Sequence, residues 1–160
     1  MIEGGNHLQV TGGHLRAVDV TTWPYPGFAT DLQPQFGALM TQATGISIVS
    51  EALYENRFRH VAELAKMGAK ITVEGRSAII TGPTPLHGAR VQISDIRSGA
   101  ALVIAGLRAE GTTELENVFH LDRGYESMEE KLRSLGAVIE RVGAGPDDTT
   151  SRDLSGVIGD

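Results

Sequence analysis

Apolar and polar residues along the chain follow two rhythms, strict alternation and recurrence every three or four positions, and the two succeed each other twice. "LRAVDVTT", from Leu15 to Thr22, alternates as a half-buried strand does. Leu32, Phe36, Leu39 and Met40 then share one helical face until Gly45 closes that helix. "ISIVSEAL" is β-branched and predicts the next strand. Phe58, Val61, Leu64 and Ala65 line one face of a second helix that stops at Gly68. "KITVEGRSAIITG" predicts two strands around a Glu74-Gly75-Arg76 tip. The second round runs through a strand "ARVQISD", an apolar helix "GAALVIAGLRAEG" and a strand "TTELENVFHLD". It continues with a helix carrying Met128, Leu132 and Leu135, whose Ser127 and Glu130 have capping-box spacing, and closes with a strand "AVIERV".

The two rounds are an internal repeat. Superposing Gly45 on Gly111 also superposes Asn56-Arg57 on Asp122-Arg123, across a helix, its stop signal and a strand. "IEGGNHLQVTGGHLRAVDV" further matches "VEGRSAIITGPTPLHGARVQI". The expected architecture is therefore α/β (α+β), built from βαβαββ units. Residues 1–13 read as the end of one unit, 14–83 as a full unit and 84–142 as most of another. Residues 143–160, rich in Gly, Asp, Ser and Thr, read as a mobile acidic tail. The pattern is that of a segment from a longer repeat protein.

Composition narrows the function. At 160 residues with 41% hydrophobic content the chain can bury one sizeable core. A net charge of −6 argues against a general nucleic-acid surface, although a few arginines can still form a local anion pocket. With no cysteine, disulfides, thiolate metal sites and a cysteine nucleophile are excluded within this chain. The first residues lack a basic stretch followed by an apolar one, and no run is long enough to span a bilayer, so a cytoplasmic protein without membrane partners is expected. The five histidines show no metal-ligand spacing.

Candidate chemistry gathers at the junctions between elements. Arg57 and Arg123 occupy equivalent positions before the second helices, and Arg97 lies at the start of the second round's first helix. Guanidinium forks at helix starts suit phosphate or carboxylate, but pairing with Glu55, Asp95 or Asp122 would equally explain them. Asp31 and Asp95 fall at corresponding strand-to-helix junctions, where an aspartate serves as a helix cap or as a reactive carboxylate. Pro34, in the first helical turn, favours a cap at Thr30 or Asp31.

"YPGFATDLQPQFGALMTQATG", "YENRF", "SDIRSGAALVIAGLRAEGTTEL" and "HLDRGYESMEEKLRSLGA" together resemble the UDP-N-acetylglucosamine enolpyruvyl transferases, over about Leu15 to Val142. "TDLQPQF" and "HLDRGYE" favour them over the related shikimate-pathway synthases. The resemblance implies pseudo-threefold domains with helices inside and sheets outside, here incomplete. It also implies transfer of the enolpyruvyl group of phosphoenolpyruvate to the 3-hydroxyl of UDP-N-acetylglucosamine, the opening step of peptidoglycan synthesis, without metal or organic cofactor.

By this resemblance Asp31 contacts the sugar hydroxyl and takes its proton, and Leu53 and Tyr54 line the nucleotide-sugar surface. Arg57 faces the cleft, Arg97 and Arg123 act on phosphoenolpyruvate, and Asp95 supports that network. The family's mobile loop, with its reactive cysteine or aspartate, and its Lys-Asn pair have no counterpart here, and Ala29 stands where proline is usual. The expected partner is accordingly the missing first domain, with the chain inactive alone. A non-catalytic nucleotide-sugar-binding module derived from the enzyme is the alternative reading.

Overall fold

A computed structural model describes residues 2–4 and 7–143. It contains two compact units, residues 1–125 and residues 126–160. The expected mobile tail lies outside the described residues from 144 onward.

In the first unit, β1 (Ile2–Gly4) and β2 (His7–Gln9) pair antiparallel. A four-stranded sheet follows in the order β3 (Val20–Thr21), β4 (Gly45–Ser50), β6 (Ser77–Gly82) and β5 (Lys70–Glu74). β3 runs parallel to β4, and the crossover between them carries a 3-10 turn (Thr30–Leu32) and α1 (Gln33–Met40). The β5–β6 hairpin is antiparallel, with Glu74 opposite Ser77, as its alternation predicts. α2 (Arg59–Lys66) connects β4 to that hairpin. The second round repeats the parallel crossover: β7 (Arg90–Gln92) pairs with β8 (Glu114–Glu116) through α3 (Ile96–Arg108).

The aligned Gly45 and Gly111 do the same job in both rounds. Each takes a positive φ, +118° and +86°, where it leaves the helix for the next strand, a conformation that a side chain would oppose.

Packing follows the polarity pattern. β4 points Ser47 and Val49 inward and leaves Ile46 and Ile48 on its outer face. Val49, Ala78 and Ile80 close a cluster with Met40 and Ala43 of the α1 end, joined by Phe36 and Phe58. α3 is apolar nearly all round and correspondingly buried from Ser98 to Val103, packing against both α1 and α2. Helices thus lie inside and the sheet face lies outside.

Four local expectations need correction. Strand character in residues 15–22 is confined to Val20–Thr21 and isolated bridges, because side chains take over the ladder bonds. Val18 N donates to Ser47 Oγ (3.2 Å), and Asp19 Oδ1 accepts from Ile48 N (2.7 Å). The strand expected through "VFHLD" ends at Glu116. Asn117 then turns at φ 61°, a region asparagine tolerates, and Phe119–Asp122 forms the short helix α4 that buries Leu121. In the second unit, α5 (Met128–Ser134) begins at Ser127, which sits at φ 42° and makes no side-chain cap, so the expected capping box does not form. "AVIERV" is not a strand: no described strand pairs with it, and Arg133 instead donates from Nε and Nη2 to the Ile139 carbonyl (3.1 and 2.8 Å).

Candidate active site

Because β3 and β4 are parallel, their carboxyl ends open at the same edge of the sheet, the usual location of ligand crevices in α/β proteins. Thr22, at the end of β3, and Glu51, after β4, meet there, and the 3-10 turn delivers Thr30 and Asp31 to the same place. Glu51, one residue past β4 and 2% exposed, gathers these segments. Its Oε1 accepts from Thr22 Oγ1 (2.7 Å), Leu53 N (2.9 Å) and Tyr54 N (3.0 Å), and its Oε2 accepts from Thr30 Oγ1 (2.8 Å). Burial alone would raise its pKa, but these bonds favour the charged form more, so the Glu51 carboxyl is held below the usual range.

Asp31 lies above this network with its side chain 59% exposed. Its Oδ1 accepts a short hydrogen bond from Arg97 Nε and lies 3.6 Å from Arg57 Nη2. That bond, ahead of the opposing effect of burial, raises the pKa of Arg97. Arg57, whose side chain is only 9% exposed, is fixed on two sides. Its Nε donates to Thr30 Oγ1 (3.1 Å), and its guanidinium carbon stands 4.5 Å from the centroid of the Tyr54 ring, in cation–π contact.

Asp31 does not cap α1. The N-cap position is Leu32, with no side-chain hydrogen bond, whereas the equivalent Asp95 caps α3 fully. Asp95 Oδ1 accepts from Arg97 N (2.9 Å) and Ser98 N (3.2 Å), and Ser98 Oγ accepts from Asp95 N (3.0 Å). The difference follows from one residue. The positions matching Arg97 and Ser98 are Gln33 and Pro34, and proline has no N–H to donate, so Asp31 lacks half of the cap and turns to the arginines. For Asp95, burial would raise the pKa, but the cap bonds outweigh it and lower it.

A cavity of about 420 Å³ opens beside this cluster, and Leu53, Tyr54, Arg57 and Asp95 are among the residues lining it, together with Asn56 and Arg59. His60, in the first turn of α2 and 2% exposed, has Nδ1 3.2 Å from the carbonyl oxygen of Arg57. Burial, with a smaller push from the Arg57 charge, lowers its pKa to about 4 despite the opposing effects of that carbonyl and Asp95, so the ring is neutral near pH 7.

Six of the seven expected site residues therefore converge. Arg123 stands apart: its side chain is exposed, and no hydrogen bond or ion pair among the described residues joins it to the cluster. Its neighbour Gly124 nevertheless presses on the start of α3, where an added Cβ would overlap Ile96 Cδ1, so its backbone is held at the same helix end as Arg97. Glu51, Thr22, Thr30 and His60 are the contributors that pattern reasoning missed. A lone Glu closing a β-branched strand was the available signal for Glu51. Among the described residues no group of three His, Asp or Glu side chains is placed to hold a metal ion, and no helix is long and apolar enough to cross a membrane.

Residues 2–132 match the family model of EPSP synthase (3-phosphoshikimate 1-carboxyvinyltransferase). The chain belongs to the EPSP synthase family. Among curated members of this enolpyruvyl transferase family it is 61% identical over 141 residues to UDP-N-acetylglucosamine 1-carboxyvinyltransferase 2 of Carboxydothermus hydrogenoformans, covering 88% of this chain and 34% of that protein. It is 55% identical over 139 residues to UDP-N-acetylglucosamine 1-carboxyvinyltransferase of Desulfosudis oleivorans, covering 86% and 33%. The enolpyruvyl transferase NikO of Streptomyces tendae superposes with a TM-score of 0.73 at 36% identity, over 78% of this chain and 29% of that one. This family member thus spans about a third of the length of the curated relatives it matches.

Proposed function

We propose that this chain forms one wall of an active site that transfers the enolpyruvyl group of phosphoenolpyruvate to the 3-hydroxyl of UDP-N-acetylglucosamine, releasing phosphate, in cytoplasmic peptidoglycan synthesis. The observation that carries the reading is Asp31, an aspartate at a helix start that is withheld from capping and held between Arg57 and Arg97 beside an open cavity. The names of the relatives at 61% and 55% identity support the choice of substrate.

In this reading Leu53 and Tyr54 bear on the nucleotide sugar. Arg97 and Arg123 meet the phosphate and carboxylate of phosphoenolpyruvate through bidentate donors, and Arg57 holds the cleft side of Asp31. An anion that draws Arg97 away from Asp31 frees a carboxylate oxygen to accept the proton of the sugar 3-hydroxyl while the sugar's own O3 bonds to C2 of phosphoenolpyruvate. A proton donated from the opposite wall turns the methylene carbon into a methyl group, and loss of one methyl proton as the C2–O bond to phosphate breaks restores the double bond and releases phosphate. No metal or organic cofactor enters these steps. Asp95 keeps the first turn of α3, and with it Arg97, in place.

The remaining wall is the rest of the enzyme, the chain's expected partner, and closure of the two walls completes the charge constellation. The test compares this chain alone with a chimera in which it replaces the matching third of the Carboxydothermus relative. Phosphate release that depends on UDP-N-acetylglucosamine is expected from the chimera and not from the chain alone. An inactive but folded chimera overturns the reading.

A further inference from the structure

Among the described residues no cation reaches the buried Glu51 carboxylate, and the one bonded to this residue, Arg76, donates from Nε to its backbone carbonyl (2.7 Å). All four donors that reach the carboxylate, the hydroxyls of Thr22 and Thr30 and the N–H groups of Leu53 and Tyr54, are neutral. Burying a charge in this way is costly, and a packing role alone would be met more cheaply by an apolar or amide side chain. The geometry shows what the charge achieves. Thr30 has one hydroxyl proton, and Glu51 Oε2 takes it, which leaves the Thr30 lone pairs for Arg57 Nε at 3.1 Å. Oε1 meanwhile fixes the backbone of Leu53 and Tyr54, and the Tyr54 ring supports the same guanidinium.

We propose that Glu51 is a positioning residue: its carboxylate locks the Leu53–Tyr54 loop to the Asp31 turn and, through Thr30, aims Arg57 at Asp31. The catalytic consequence rests on the enolpyruvyl-transfer reading, while the aiming of Arg57 does not. A glutamine at this position keeps only one accepting oxygen. Whichever side receives the amide nitrogen, a donor there is left without an acceptor, and on the Thr30 side the amide competes for the Thr30 lone pairs that otherwise accept from Arg57.

The first experiment uses the 160-residue chain. Hydrogen exchange of the Arg57 Nε–H is followed by NMR in the unsubstituted protein and in Glu51→Gln, Thr30→Val and Thr22→Val. Glu51→Gln and Thr30→Val are expected to speed exchange about tenfold or more, the loss of one net hydrogen bond. Thr22→Val removes a Glu51 partner remote from Arg57 and is expected to stay within about twofold. Thr30→Val, which removes the acceptor itself, marks the full effect, and Glu51→Asp, which draws the carboxylate back from Thr30 by one methylene, carries the test if Glu51→Gln fails to fold. The second experiment measures phosphate release by the chimera. In both Glu51→Gln and Thr30→Val, kcat per folded molecule is expected to fall about tenfold to a hundredfold, as for a misplaced substrate-orienting group. Unchanged Arg57 exchange in the Glu51 variant, whatever Thr30→Val shows, would overturn the positioning role, and kcat per folded molecule within about twofold of the parent would overturn its catalytic consequence. If the unsubstituted chimera is inactive, the functional reading fails and the exchange data still decide the positioning role.

Discussion

His60 gives the sharpest quantitative handle on the packing next to the site. It is 2% exposed, and its pKa falls from 6.5 to about 4 in the folded chain. Below pH 6.5 the unfolded chain protonates this imidazole, whereas the folded chain does not until about pH 4. Unfolding therefore takes up a proton in that window, and stability falls as pH falls through it. The full separation is worth about 3 kcal/mol, and the part reached between pH 8 and pH 5.5 is about 1.4 kcal/mol.

Glu51 and Asp95 act in the same direction, because their lowered pKa values favour the folded state above the acid range, but they come into play only below about pH 5. Urea unfolding followed by circular dichroism at pH 8 and 5.5 isolates the histidine. His60→Asn, whose amide nitrogen takes the position of Nδ1 opposite the Arg57 carbonyl, should lose about 1.4 kcal/mol of the pH dependence shown by the parent. Equal pH dependence in parent and variant would refute the assignment of a buried neutral imidazole.

Three further outcomes follow from the packing and caps. Asp95→Ala should cost about 1–2 kcal/mol in thermal unfolding through the lost capping box, whereas Asp31→Ala should cost under about 1 kcal/mol because the Asp31 carboxylate itself is 59% exposed and caps no helix; equal losses would restore Asp31 as a cap. Leu64→Ala, at a fully buried position of α2, should lower stability by about 2–5 kcal/mol in denaturant titration. Gly99→Ala places a methyl 2.8 Å from Leu121 Cδ2 and 2.9 Å from Ile93 Cγ2, and should cost about 1–3 kcal/mol by the same assay while loosening α4.

The elements that were legible in the sequence are those whose pattern and neighbours agree. The β5–β6 hairpin alternates and pairs locally, and Gly45 and Gly111 mark helix exits that only a positive φ allows. The convergence of Asp31, Arg57 and Arg97 came through the family resemblance, since their sequence separation hides a contact made by the α1–α3 packing. Local chemistry misled where tertiary structure intervened. Pro34 read as support for a cap at Thr30 or Asp31, yet neither side chain caps α1, and the missing N–H of Pro34 is what denies Asp31 that role. Ser127 had cap spacing but turns left-handed, and "AVIERV" had strand composition without a described strand to pair with. Glu51 escaped notice because one glutamate after a strand carries no periodic signal.

The central claim is that Asp31 receives the sugar hydroxyl's proton. Its most direct test is the rate of UDP-N-acetylglucosamine-dependent phosphate release by the chimera carrying Asp31→Asn, an isostere that keeps the shape but loses the carboxylate. The account predicts a fall of about a hundredfold or more in kcat with unfolding unchanged, as for a removed general base. A kcat within about twofold of the parent would contradict it.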